Sequence, residues 1–320
     1  MLNYFLIFFV SLALSVILGF PILVLCRKLK FSQTILHYVD NHAGKSGTPT
    51  MGGWIFVISA IISSLIFIRE DFVLAILPLV IMLGYTMLGF LDDFIKVRYR
   101  KNDGLKPYQK IIGQVGMAVI IALFTYFKIG SDLDFFGLKL ELGLFIIPFV
   151  IIFYVAVTNA VNLIDGLDGL AGGVSLTYLL FFGIILAICF SYSNYSLICF
   201  AMVGAIMGFL LFNGFPAKIF MGDTGSLGLG GLIASLAVFT KLELIMPIIG
   251  LLYVLTALSD IIQVAYFKKT HKRIFKMAPL HHHFEKSGVH ENRIVTVYIV
   301  ITIVAGLSCL VGYMAVAGVL

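Results

Sequence analysis

The chain has 320 residues, 61% of them hydrophobic and 12% charged, with a formal net charge of +6; soluble proteins average roughly 45–50% apolar and about 25% charged. A water-soluble fold of this length has no means of hiding so much apolar surface, so the composition excludes a soluble enzyme and points to lipid as the main solvent. The positive charge, which would suggest nucleic acid as a partner of a soluble protein, reads here as membrane topology, and no nucleic-acid partner is expected.

In chain order, apolar runs close to the ~20 residues of a bilayer-spanning helix predict spans near 2–26, 52–68, 72–91, 110–127, 143–160, 171–190, 196–212, 226–240, 244–267 and 294–318. The first run has no basic start and no small-residue cleavage site, so it is expected to be a retained span. The loops on the side opposite the termini hold 18 of the 22 Lys and Arg residues, leaving Arg69, Lys128, Lys139 and Lys241 for the other side. The positive-inside rule makes the basic loops cytoplasmic and both termini extracytoplasmic. The expected fold class is an all-α integral membrane protein of ten transmembrane helices. With no repeat and no linker, residues 1–320 form a single polytopic domain with its active site at the cytoplasmic face. Cys26, Cys189, Cys199 and Cys309 lie in or beside apolar runs without metal-like spacing and read as packing residues.

The polar residues are not distributed as in a transporter, where ionisable groups sit near the midplane of repeated halves. Lys45, the pair Asp92-Asp93, then Asn162, Asp165 and Asp168, then Asn213 and Asp223, and finally His281, His282 and His283 all fall at cytoplasmic span ends or in cytoplasmic loops. Asp260, ~10 Å inside the ninth span at 1.5 Å per residue, is assigned to the floor of the same site. A carboxylate cluster on a basic face suits a divalent cation and a phosphorylated substrate, because Mg2+ prefers carboxylate oxygens and is completed by waters and phosphates. Asp92 and Asp93 are read as ending a helix, where acids oppose the macrodipole, so a functional demand is the better explanation.

Phe220-Met221-Gly222-Asp223-Thr224-Gly225-Ser226 places an acid between glycines just ahead of a span, which suits a phosphate near a helix N-terminus and a metal held by Asp223; the alternative is a turn with Asp223 as a cap. Asn162-Leu163-Ile164-Asp165-Gly166-Leu167-Asp168-Gly169 lacks calcium-loop ligand spacing, and one of its two Asp-Gly steps is expected to be a structural turn. Gly44-Lys45-Ser46 imitates a P-loop end, but Val39 stands where the first glycine would be. Gly47-Thr48-Pro49-Thr50-Met51-Gly52-Gly53 reads as a shaped loop leading into the second span. Three adjacent histidines cannot share one metal from one helix face, so His281 to His283 read as phosphate contacts and loop-positioning groups. Gly204-Ala205-Ile206-Met207-Gly208 fits either a dimer contact or close packing within one chain.

These motifs, with Pro279-Leu280-His281-His282-His283-Phe284-Glu285, closely resemble those of the phospho-N-acetylmuramoyl-pentapeptide transferases, within the polyprenyl-phosphate N-acetylhexosamine-1-phosphate transferases, over essentially the whole chain. The resemblance implies transfer of phospho-MurNAc-pentapeptide from UDP-MurNAc-pentapeptide to undecaprenyl phosphate, giving lipid I and UMP, in the bacterial cytoplasmic membrane. It implies Mg2+ as cofactor with Asp223 as metal ligand, and Asp92, Asp93, Asp223 and His281 as catalytic residues. Lys45, Thr50, Asn162, Asp165, Asp168, Asn213, Phe220, Gln263, His282 and His283 are the implied substrate-binding residues, and a homodimer in the lipid bilayer is expected. A sister enzyme using UDP-GlcNAc is the competing reading, and a membrane transporter the competing class. Because the lipid phosphate, with a second pKa near 6, is mostly dianionic at neutral pH, single displacement needs little base catalysis; a covalent aspartyl intermediate is the alternative route.

Overall fold

The computed structural model describes residues 2–29, 47–69, 71–99, 104–190 and 192–318. Lys45 lies outside them. Among the described residues, nine helices are long and apolar enough to cross a membrane: α1 (Leu2–Lys28), α3 (Phe72–Tyr99), α4 (Pro107–Phe124, continued by a wider turn to Ile129), α5 (Ile146–Ile164, preceded by a short turn from Gly143), α6 (Leu170–Cys189), α7 (Ser193–Asn213), α8 (Gly222–Phe239), α10 (Leu251–Thr270) and α12 (Glu291–Val316). The second expected span is α2 (Gly53–Phe67), only 15 residues long. Short helices α9 (Met246–Ile249) and α11 (Leu280–Lys286) precede α10 and α12. The chain is a multi-pass helical membrane protein.

The packing is organised around α8, in which every residue except Asp223 is buried. A helix so enclosed needs small residues to let its neighbours approach. Gly225 meets Gly53 of α2 so closely that a methyl group on either would overlap the other's backbone, and a side chain at Gly89 of α3 would overlap the carbonyl of Asp223. The outer helices turn small and polar groups inward and large apolar ones to lipid. On α1, Ile7, Ser11, Ser15 and Gly19 recur every fourth residue on the buried side, whereas Phe5, Phe9, Ile17 and Phe20 are exposed. Ser15 Oγ donates to Ala205 O at 2.6 Å. Side chains at Gly204 and Gly208 would overlap α1, so this small-residue face serves packing within the chain and is closed to a second copy.

Three boundaries differ from expectation. The third span runs eight residues past 91, to Tyr99, so Asp92 and Asp93 sit inside a helix rather than at its end. The eighth starts at Gly222, which places Asp223 in its first turn. The ninth is interrupted at Gly250. Residues between α4 and α5 form an unexpected hairpin, β1 (Asp132–Phe135) and β2 (Leu138–Glu141), paired antiparallel from Asp132↔Glu141 to Phe135↔Leu138. Its Phe136-Gly137 turn has positive φ at both residues, the pattern of a tight two-residue hairpin. Phe136 is held there by stacking on Tyr313, 4.7 Å between ring centroids.

Candidate active site

Asp92, Asp93 and Asp223 converge where α3 passes the first turn of α8, and their ligating oxygens all lie within 4.8 Å of one another. Asp93 is fully buried. Its Oδ2 accepts from Thr224 N at 2.9 Å and Thr224 Oγ1 at 2.7 Å, while its Oδ1 is buried without a hydrogen bond, 4.0 Å from Lys96 Nζ. Asp92 Oδ1 accepts from Leu105 N at 2.7 Å, and Oδ2 lies 2.6 Å from Lys96 Nζ. Asp223 Oδ2 receives Lys96 Nζ and Lys110 Nζ, each at 3.0 Å. Its Oδ1 accepts from Asn162 Nδ2 at 2.7 Å. Three close carboxylates repel unless cations intervene, and the two ammonium groups supply part of that charge. A divalent cation fits the remainder: the donors are hard oxygens of the kind magnesium takes, and Asp93 Oδ1, buried with no hydrogen bond, is the type of acceptor that a metal satisfies.

The loop after α5 delivers the next group. Asn162, in the last turn of α5, also donates to Ser226 Oγ at 2.8 Å and accepts from Lys110 Nζ at 3.3 Å. Asp165 is half-buried; withdrawal from solvent and the charges of Asp223, Asp93 and Asp168 push its carboxyl up to about 8. Asp168-Gly169 is the structural step of the two. Asp168 Oδ2 accepts from Ala217 N at 2.9 Å, and Gly169 has φ +75. Asn213 braces the same corner, accepting from Gly169 N at 3.1 Å and donating to Ile219 O at 3.0 Å. Thr50 and Phe220 sit on two strands of loop that pair through backbone: Phe220 N donates to Pro49 O at 2.8 Å, and Gly52 N to Phe220 O at 2.9 Å. Thr50 is buried with its hydroxyl unpartnered.

The histidine segment closes over the α5 loop. His281 is fully buried on α11 with neither ring nitrogen bonded. A side chain at Gly166 would overlap His281 Nε2 and approach His282 Nε2 to 3.0 Å. Burial holds the His281 imidazole down at about 3, so it is neutral at physiological pH. His282 Nδ1 is 2.9 Å from Glu285 Oε2, and Asp260 is within electrostatic reach of His282. His283 and Gln263 turn to the preceding loop: His283 Nδ1 accepts from Lys276 N at 3.1 Å, and Gln263 Oε1 accepts from Ile274 N at 3.1 Å and Phe275 N at 3.0 Å.

A family model described as glycosyl transferase family 4 matches residues 73–241, which span α3 through α8 and include the carboxylate cluster. A phospho-N-acetylmuramoyl-pentapeptide-transferase of Clostridium botulinum (strain Eklund 17B) is 46% identical over 308 residues, covering 95% of this chain and 93% of that protein. The enzyme of the same name from Thermoanaerobacter sp. (strain X514) is 47% identical over 299 residues, covering 92% and 94%. This chain belongs to the phospho-N-acetylmuramoyl-pentapeptide-transferase family. Sequence reasoning within that family's motifs overlooked Lys96, Lys110, Thr224 and Ser226. Lys96 had a signal in its position, three and four residues after the two acids, which puts it on their face of α3. Lys110 had one too: it falls in the first turn of α4, where a cation opposes the helix dipole.

Proposed function

We propose that this protein transfers phospho-N-acetylmuramoyl-pentapeptide from UDP-MurNAc-pentapeptide to undecaprenyl phosphate, giving lipid I and UMP, at the cytoplasmic face of the bacterial inner membrane. The observation that carries this reading is the cluster of Asp92, Asp93 and Asp223 with Lys96 and Lys110, in a chain related at 46% identity over 95% of its length to an enzyme named for that transfer. Phosphoryl transfer asks mainly for positioning and charge neutralisation.

Asp223, Asp93 and Asp92 would hold Mg2+, which supplies Lewis-acid neutralisation of the diphosphate charge. Lys96 and Lys110 present ammonium groups to phosphate oxygens. The lipid phosphate oxygen attacks the β-phosphorus of the donor, the new P–O bond forms as the bond to UMP breaks, and UMP leaves as an anion. His281 and His282, set on the Asp165-Gly166 turn, donate hydrogen bonds to donor oxygens. Asn162, Thr50 and Phe220 line the donor side, and the family motif adds Lys45 as a further donor-binding residue. Asp168, Asn213, Gln263 and His283 shape the loops around it.

In this reading α2 is the tenth span of one membrane domain, with both termini outside. Fifteen residues of helix reach ~22 Å, short of the ~30 Å hydrocarbon core. The buried stretch at Thr50, Met51 and Gly52 completes the crossing, since non-helical backbone is tolerated at membrane depth when protein covers it. A homodimer would use a surface other than the α7 small-residue face. The test is UMP release by purified protein given undecaprenyl phosphate, Mg2+ and each donor in turn. Strong release with UDP-MurNAc-pentapeptide and little with UDP-GlcNAc is expected; turnover of UDP-GlcNAc alone would move the assignment to the sister enzyme.

A further inference from the structure

One turn deeper than Lys110 and Asn162, a second polar contact joins α4 to α5. Gln114 is fully buried. Its Oε1 accepts from Asn159 Nδ2 at 2.7 Å and its Nε2 donates to Asn159 Oδ1 at 3.4 Å, a reciprocal amide pair. Asn159 Nδ2 is anchored to its own helix by donating to Val155 O at 2.8 Å. The backbone carbonyl of Gln114 accepts from Tyr85 OH of α3 at 3.3 Å.

A buried amide pair is a poor choice for stability, since two well-packed apolar side chains of similar volume would hold the helices at least as well. What it adds is register. Two antiparallel bonds between planar amides are satisfied at one relative height of the helices, and a slip of one residue along α4, ~1.5 Å, breaks both. Gln114 stands four residues after Lys110, and Asn159 three before Asn162, so each clamp residue shares a helix face with a site residue. Asn162 in turn donates directly to Asp223 Oδ1, at 2.7 Å.

The geometry points to Gln114 and Asn159 as positioning residues, an amide clamp that fixes the depth of Asn162 and Lys110 and so the orientation of the Asp223 carboxylate toward a divalent cation. Neither residue touches the reacting atoms. This rests on the reading of Asp223 as a metal ligand. Groups that orient a ligating carboxylate typically change metal affinity 10- to 100-fold when removed, and a clamp acting one contact further out belongs at the lower end.

The test is Mn2+ binding to the purified protein without substrates, followed by electron paramagnetic resonance, together with thermal unfolding in detergent. Gln114→Leu and Asn159→Leu are each expected to weaken Mn2+ binding about 10-fold. The double variant Gln114→Leu/Asn159→Leu should recover wild-type thermal stability while keeping the weakened binding. In an Asn162→Ala background, Gln114→Leu should have less than its full effect, because part of the clamp's action passes through Asn162 and only the part carried by Lys110 is left. Wild-type Mn2+ affinity in the double variant, affinity losses that follow the loss of thermal stability, or full additivity with Asn162→Ala would overturn the proposal. Should the double variant not fold, the exchanged pair Gln114→Asn/Asn159→Gln decides: affinity better than that of Gln114→Asn alone supports the clamp, and equal affinity overturns it. Absence of Mn2+ binding by the wild type overturns the reading of the site, and the clamp with it.

Discussion

Asp93 on α3 caps α8 through Thr224, its Oδ2 accepting both the backbone N–H at 2.9 Å and the hydroxyl at 2.7 Å. Residue 221, at the start of α8, makes no capping bond with its own side chain. The cap therefore comes from a residue 131 positions away in sequence, and it locks the helix that carries Asp223 to the helix that carries Asp92.

This relationship predicts that Thr224→Val, which keeps the shape and removes one donor, lowers stability by about 1 kcal/mol and reduces UMP release by about 10-fold as the carboxylates separate. Thr224→Ser, which retains the donor, should restore most of both. Thermal unfolding in detergent and UMP release check the pair.

His281 gives a pH dependence with a definite sign. Its folded pKa of about 3 lies below the ordinary value of 6.5, so between those two values the unfolded chain binds a proton that the folded chain does not. Stability from this site is present above pH 6.5 and lost as the pH falls toward 3. From pH 7 to pH 5 the loss is about 2 kcal/mol at 1.36 kcal/mol per unit. His281→Gln should flatten that part of the curve, so the fall in Tm between pH 7 and pH 5 should be smaller than in the wild type.

Orientation is testable on exposed sites. Lys139→Cys on β2 and Lys272→Cys after α10 lie in exposed positions. In intact cells a membrane-impermeant thiol reagent should label residue 139 and leave residue 272 unlabelled until the membrane is opened. The reverse pattern would invert the topology.

Hydropathy made the long helices legible, because a lipid solvent imposes one strong constraint on composition. It also misled at their ends. The run ending at 91 hid the last eight residues of α3, since helix continues into a basic segment where apolarity stops; Asp92 and Asp93 need no dipole argument, being buried residues in the interior of the helix. The acids, asparagines and histidines of the site were visible as types and positions. Their partners were not. Lys96 and Lys110 read as positive-inside residues, and only the packing of α3, α4 and α8 brings both within 3.0 Å of Asp223. The β1–β2 hairpin was masked by its place in a short loop between two spans, although Asp132 to Glu141 alternates in the manner of strands. Asn213 and Asp168, expected to meet substrate, also tie loops together, a role that residue type does not express.

The most direct measurement is UMP release by Asp223→Asn beside the wild type, with UDP-MurNAc-pentapeptide, undecaprenyl phosphate and a magnesium titration. The amide preserves size and the hydrogen bond to Asn162 while removing the charge that would hold the metal. Turnover should disappear at every magnesium concentration while the variant unfolds at a temperature close to that of the wild type. Near-wild-type turnover at ordinary magnesium by a folded Asp223→Asn protein would contradict the assignment of the carboxylate cluster as the catalytic centre.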